Sequence, residues 1–318
     1  MTSERVPFEY LRVSVTDRCN LRCVYCMPVS GVPKRGHGEI LRYEELYRIV
    51  CAAVAEGVFR VRITGGEPLV RKGISGFVHM VAQIAGLRDL AMTTNAIRLA
   101  PMAQELKTAG LHRVNISLDS LQPQRYEQIT RGGCLSDVLA GIDAALEVGL
   151  SPVKINVVLV PGVNDDEVEA FGRLAAAKPV QIRFIERMPF AVGDNHAPFI
   201  TQEQLQNQLQ SLFHLIPSDS IVGGGPANVY RIDGGAGCLG FISPRTRPFC
   251  RSCTRLRLTS SGRLMACLDA LAGVQVREKS EAEIRQVIQQ LGQEKKAGGK
   301  SCAGFRQTTC ASLSDIGG

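Results

Sequence analysis

The first 190 residues alternate short β-branched runs with stretches in which apolar residues recur every three or four positions. This pattern predicts strands at 10–15, 60–64, 90–94, 113–118, 153–160 and 180–186, and helices at 43–56, 73–85, 101–109, 134–148 and 164–177. Strands separated by helices imply parallel pairing. Buried parallel strands usually read as continuous apolar runs, yet here one face of each is polar. At period two it carries Arg12, Ser14 and Thr16; Arg60, Arg62 and Thr64; Thr93 and Asn95; Asn115 and Ser117; Lys154 and Asn156; and Arg183. The other face is Leu11, Val13, Val61, Ile63, Val114, Ile116, Val153, Ile155, Ile182 and Phe184. Helices packed on the apolar face would leave the polar face lining a wet, cationic interior. The fold expected is therefore α/β, an incomplete, six-stranded TIM-type parallel barrel, with any ligand near the strands' C-terminal ends. A flat sheet with its charged side in solvent is the plainer alternative.

Past Met188 the pattern breaks into a Gly/Asp/Pro-rich linker, a polar helix near 202–212, short strands between glycine clusters, a hairpin at 256–266 and a last helix near 281–291. The expected division is a first domain at 1–190 and a smaller α+β C-terminal module at 191–318 covering the barrel's open side. Composition, 45% apolar and 21% charged, excludes disorder and collagen-like fibres. No apolar run reaches the ~20 residues that span a bilayer, and the N-terminus lacks a signal-peptide stretch, so a cytoplasmic protein without a membrane partner is expected. The net charge of +7 is uneven: between Gly234 and Leu268 there are six arginines and no Asp or Glu. Such a segment suits an anionic ligand, either a nucleic acid or a polyphosphate. With no Trp and no aromatics interleaved with basic residues, stacking on single strands is disfavoured, and no nucleic-acid partner is expected.

The chain has eleven cysteines, and in a reducing compartment so many point to metal or redox chemistry. Cys19, Cys23 and Cys26 form C-x3-C-x2-C after the first strand. Three thiolates can hold a four-iron cluster with one iron open, whereas a closed zinc site wants a fourth ligand, for which His37 is a candidate. Thr64-Gly65-Gly66-Glu67-Pro68 ends the second strand, where paired glycines admit close backbone approach and a carboxylate can meet an ammonium group. A second set, Cys250, Cys253 and Cys267, lies inside the arginine-rich segment. A zinc knuckle there would draw on Cys238, Cys302, Cys310 or His214. The alternation Cys253-Thr254-Arg255-Leu256-Arg257 instead presents two guanidinium forks to one side, suited to phosphate. Cys51 and Cys134 have no ligand spacing.

The open three-cysteine site beside Gly-Gly-Glu-Pro resembles the radical S-adenosylmethionine superfamily. Together with Ser14–Asn20, Asn115–Leu121, Arg183–Glu186, the second cysteine set and the terminal Gly317-Gly318, the chain is similar to the GTP 3′,8-cyclase family, which opens molybdenum cofactor biosynthesis. The resemblance implies two [4Fe-4S] clusters on Cys19, Cys23, Cys26 and on Cys250, Cys253, Cys267. It implies S-adenosylmethionine at Tyr25, Gly66, Ser117 and Met188, and GTP at Arg12, Arg62, Thr93, Lys154, Arg183, Arg255, Leu256 and Arg257. No side chain acts as catalytic acid, base or nucleophile, because the radical arises on the cofactor. An unidentified electron donor, functional coupling to the next pathway enzyme and a homodimer complete the expected partners. Ala96 stands where that family usually has Gly, and Thr254 where Asn is common. A peptide-modifying radical enzyme and a zinc-dependent nucleic-acid binder are the rivals.

Overall fold

Alternation of apolar and polar positions fixes which side of each strand meets the helices. The structure, a computed structural model, describes residues 8–27, 35–188, 198–218, 225–268 and 273–296. These form two compact units: residues 1–93, 105–112 and 250–318, and residues 94–104 and 113–249. Gly317-Gly318, Cys302 and Cys310 lie outside the described residues.

In the first unit β1 (Tyr10–Ser14) runs parallel to β2 (Arg60–Thr64), and β2 parallel to β3 (Asp89–Thr94). On the other side of β1 lies β10 (Arg255–Leu258), also parallel, followed by antiparallel β11 (Arg263–Met265) and β12 (Val274–Gln275). The hairpin read around Ser260-Ser261-Gly262 is therefore present. α1 (Tyr43–Ala55), α2 (Ile74–Ala82) and α8 (Glu281–Lys296) belong to this unit. Their buried residues, among them Leu46, Ile49, Val50, Phe77 and Val78, recur at helical spacing.

The second unit has β4 (Arg113–Ser117), β5 (Val153–Leu159) and β6 (Val180–Glu186) in parallel, with β9 (Cys238–Ile242) parallel to β6. β8 (Asn228–Ile232) and β7 (Leu215–Ser218) extend it antiparallel. α5 (Leu135–Glu147), α6 (Val168–Ala177) and α7 (Gln202–Gln210) complete it with α4 (Pro123–Thr130). The architecture is α/β with a parallel-rich sheet, as expected.

Corrections are local. The stretch read as helix from 164 begins as a 3-10 turn at Asp165–Glu167, and that read from 101 follows a 3-10 turn at Ala100–Met102 before α3 (Ala103–Thr108). α4 was not expected, because only Tyr126, Ile129 and Thr130 of its eight residues are buried and the rest is polar. α8 runs past Leu291.

The period-two parity holds on both faces. Leu11, Val13, Val61, Ile63, Val114, Ile116, Ile155 and Ile182 are all at most 1% exposed. On the polar face Lys154 is 1% exposed, Arg183 3% and Arg257 4%, while Arg12, Arg60 and Arg62 are half-buried. These cations are therefore not simply turned to solvent.

Candidate active site

The first cysteine loop and the Gly-Gly-Glu-Pro segment are built as one piece. Thr16 Oγ1 accepts from Arg18 N at 3.1 Å, which turns the chain out of β1 toward Cys19. The end of β2 then bonds alongside it: Gly66 N donates to Thr16 O at 2.7 Å and Glu67 N to Arg18 O at 2.8 Å. A Cβ on Gly65 would stand 2.7 Å from Thr16 O and one on Gly66 2.3 Å from Arg18 O, so both positions require glycine. Glu67, 1% exposed, turns an oxygen to its own turn, accepting from Leu69 N at 3.0 Å. Arg71 pins the arrangement, donating to Val15 O and, at 2.7 Å, to Leu41 O, with its guanidinium 4.1 Å above the Tyr43 ring.

Within the loop, Cys26 N and Met27 N donate to Cys23 O at 2.9 and 3.0 Å, and Leu21 N donates to Cys19 Sγ at 3.3 Å. Cys19, Cys23 and Cys26 form no disulfide and are half-buried, and Tyr25 lies in the same turn. Three reduced cysteines, one of them accepting a backbone hydrogen bond, fit the donor set of an iron–sulfur cluster. His37, the candidate fourth ligand for zinc, has its Nε2 3.3 Å from Arg18 Nη2.

Register brings the first unit's cations together. Arg12 is flanked by Arg62 on β2 and Arg257 on β10, while Tyr10 is flanked by Arg60 and Arg255. Burial, then Arg257 and Arg255, push Arg12 down to about 9 against the opposing pull of Tyr10. Burial and Arg255 push Arg257 to about 10, with Tyr10, Cys267 and Cys253 opposing. A guanidinium keeps its proton, so the direction of both shifts says that burial first, and the neighbouring arginines next, disfavour these cations. On the same face Tyr10 Oη and Thr93 Oγ1 are buried without a hydrogen-bond partner. Such orphans mark a place built for a polar ligand. The influence of Cys253 and Cys267 on Arg257 sets the second cysteine group at the border of this arginine face. Cys250, Cys253 and Cys267 form no disulfide and are half-buried, and Cys253 N donates to Cys250 O at 3.2 Å. Leu256 pairs with Leu11 and is fully buried on the apolar face, which leaves only its backbone for a ligand.

In the second unit, Asn115 pairs with Lys154 and Ser117 with Asn156, which in turn pairs with Arg183. Asn115 Nδ2 and Asn156 Oδ1 are buried without partners. Cys238, on β9, belongs to this cationic face: burial pushes its thiol up while Lys154, Arg183 and Arg231 pull it down. His214 is engaged by Asp233 at 3.1 Å. Met188 follows β6 and is half-buried. Glu186, at the end of β6, accepts from the backbone N–H groups of Arg245 and Thr246 at 3.0 and 3.1 Å. Glu186, quoted earlier only as part of the Arg183–Glu186 motif, and Arg71 were not legible as anchors, since each bonds backbone distant in the chain and no spacing announces that.

Comparison with known proteins agrees with this construction. Residues 13–175 match the Radical SAM superfamily and residues 180–301 match Molybdenum Cofactor Synthesis C. The chain is 50% identical over 271 residues to the GTP 3′,8-cyclase of Heliobacterium modesticaldum, covering 84% of this chain and 83% of that one. It is 51% identical over 262 residues to that of Peptoclostridium acidaminophilum, covering 81% and 80%. Among solved structures, Streptococcus suis SuiB bound to S-adenosylmethionine shares the fold with a TM-score of 0.59 at 16% identity. That match covers 86% of this chain and 64% of SuiB. The chain is an enzyme of the radical S-adenosylmethionine superfamily and belongs to its GTP 3′,8-cyclase family.

Proposed function

We propose that the chain converts GTP to (8S)-3′,8-cyclo-7,8-dihydroguanosine 5′-triphosphate, the first step of molybdenum cofactor biosynthesis. The observation that carries this reading is the arginine face of the first unit, Arg12, Arg62 and Arg257 abreast on three strands, bordered by Cys253 and Cys267. Cys19, Cys23 and Cys26 hold a [4Fe-4S] cluster, and Tyr25, Gly66, Ser117 and Met188 bind S-adenosylmethionine. When bound, that cluster supplies the electron that cleaves S-adenosylmethionine, giving the deoxyadenosyl radical that takes the 3′ hydrogen of GTP. Joining C3′ of the nucleotide to C8 of guanine would then need one electron, from the external donor, and one proton at N7 to give the 7,8-dihydro product.

The chain's own groups orient and neutralise. Arg12, Arg62, Arg255 and Arg257 contact the nucleotide with Thr93 Oγ1 and the Leu256 backbone; the family resemblance assigns nucleotide contacts to Lys154 and Arg183 too. Forked guanidinium groups suit phosphate oxygens because two parallel N–H bonds fix position as well as charge. Cys250, Cys253 and Cys267 hold a second [4Fe-4S] cluster that positions the purine, where a small displacement costs rate steeply. The finer architecture goes with this reading: a six-stranded partial barrel at 1–190 carrying the first cluster, and a module at 191–318 covering its open side. An external electron donor, a dimeric, cytoplasmic state and coupling to the next enzyme belong to the same reading.

The test is anaerobic turnover of the reconstituted chain with GTP deuterated at C3′, S-adenosylmethionine and dithionite. Deuterium should appear in 5′-deoxyadenosine in step with cyclised triphosphate. Deoxyadenosine without label, or no GTP-dependent product, would overturn the assignment.

A further inference from the structure

We infer that Lys295 is a positioning residue for the second cysteine set, holding a positive charge against its sulfur and so raising the reduction potential of the cluster bound there. This rests on the second cluster proposed above. α8 is fixed along its length: Ile284 and Ile288 are fully buried, and Arg285 Nε and Gln289 Nε2 donate to the two Glu56 oxygens at 2.6 and 2.9 Å. Its last turn delivers the Lys295 ammonium to three acceptors on two stretches, Cys253–Arg255 and the one ending at Ala266. Nζ lies 3.0 Å from Ala266 O, 3.1 Å from Arg255 O and 3.6 Å from Cys253 Sγ. Ala266 directly precedes Cys267, so the lysine ties together the segments that carry two of the three thiols. An ammonium has three donors, and two carbonyls would satisfy a merely structural lysine. The third, on sulfur, changes the electrostatics of the ligand. Hydrogen bonds to sulfur and nearby charge are among the levers that set cluster potentials. A cation there favours the reduced, more negative cluster, so its removal makes reduction harder.

The experiment uses the full chain carrying Cys19→Ala, Cys23→Ala and Cys26→Ala, so that bound iron reports the second set alone. Iron content and the midpoint potential, followed by electron paramagnetic resonance in a dye-mediated titration, are compared with Lys295→Met and Lys295→Arg added. A potential shifted negative by the Met change and restored by Arg is the expected result, and loss of iron from the Met variant alone also supports a requirement for charge. An unchanged potential in the Met variant, equal shifts in both, or iron lost from both would overturn the inference. Absence of iron from the triple-cysteine parent itself would refute the second cluster, and the inference with it.

Discussion

Ala96 holds φ at 63° and is fully buried, a conformation that L side chains rarely adopt. The left-handed turn is kept by Ala96 N donating to Thr94 Oγ1 at 2.9 Å and by Leu99 N returning to Ala96 O at 3.0 Å. The family's usual glycine is thus replaced without loss of the turn, at a strain of roughly 1–2 kcal/mol. Ala96→Gly relieves that strain but gives back roughly 0.5–1 kcal/mol in chain entropy and about 0.8 kcal/mol in methyl burial. The opposing contributions nearly cancel, so the expected net change is centred on zero and within about 0.8 kcal/mol, read as a urea midpoint that moves little. Gly141 on α5 is the counterpart. A Cβ there would stand 2.7 Å from Ala96 O and 3.2 Å from Ala96 Cβ, so Gly141→Ala should destabilise by about 2 kcal/mol. If Gly141→Ala is silent, the close packing at this turn is wrong. At this scale the sequence was legible in part: Ala96 showed as a departure, but only the backbone angle says what it costs.

At the scale of elements, α8 is fastened to α1 by ion pairs at both ends. Arg277, just before α8, donates to Glu45 Oε1 at 3.1 Å, and Arg285 donates to Glu56. Burial alone would push the Glu45 carboxyl up, but hydrogen bonds from the Arg42 N–H and from Arg277 outweigh it and hold it below its ordinary 4.5. A carboxylate lowered in the folded state contributes stability that is full above 4.5 and is lost as pH falls through the depressed value. Glu45→Gln should therefore cost about 1 kcal/mol at neutral pH and make the acid limb of the stability curve shallower. Parallel acid limbs for the two proteins would exclude the contribution. Strand positions were legible because both faces of the sheet follow period two without exception among the residues compared. α4 was not, since eight mostly polar residues give periodicity too little to work with, and Lys295 was not, since its partners become neighbours only after β10, β11 and α8 have assembled.

For the whole molecule, the dominant electrostatic fact is a group of arginines crowded together at a cost. Binding an anion to the folded state alone stabilises it by about 2.7 kcal/mol at a ligand concentration one hundred times Kd. Inorganic tripolyphosphate should accordingly raise the melting temperature, less so as salt is added, and Arg255→Ala with Arg257→Ala should remove most of the effect. Tripolyphosphate stabilising that double variant as much as the parent would place its site elsewhere. Cysteine spacing and strand parity made the site's chemistry readable from the sequence, because both are local in the chain. The identity of neighbours was not: that Arg257 stands abreast of Arg12 is a matter of register between segments from opposite ends of the polypeptide. That pairing also has a consequence for biogenesis. β1 is synthesised well before β10, so its flank opposite β2 has no partner until β10 emerges. A nascent chain must therefore carry an uncovered strand edge over that interval, and a product stalled or clipped before β10 would offer that edge to other polypeptides.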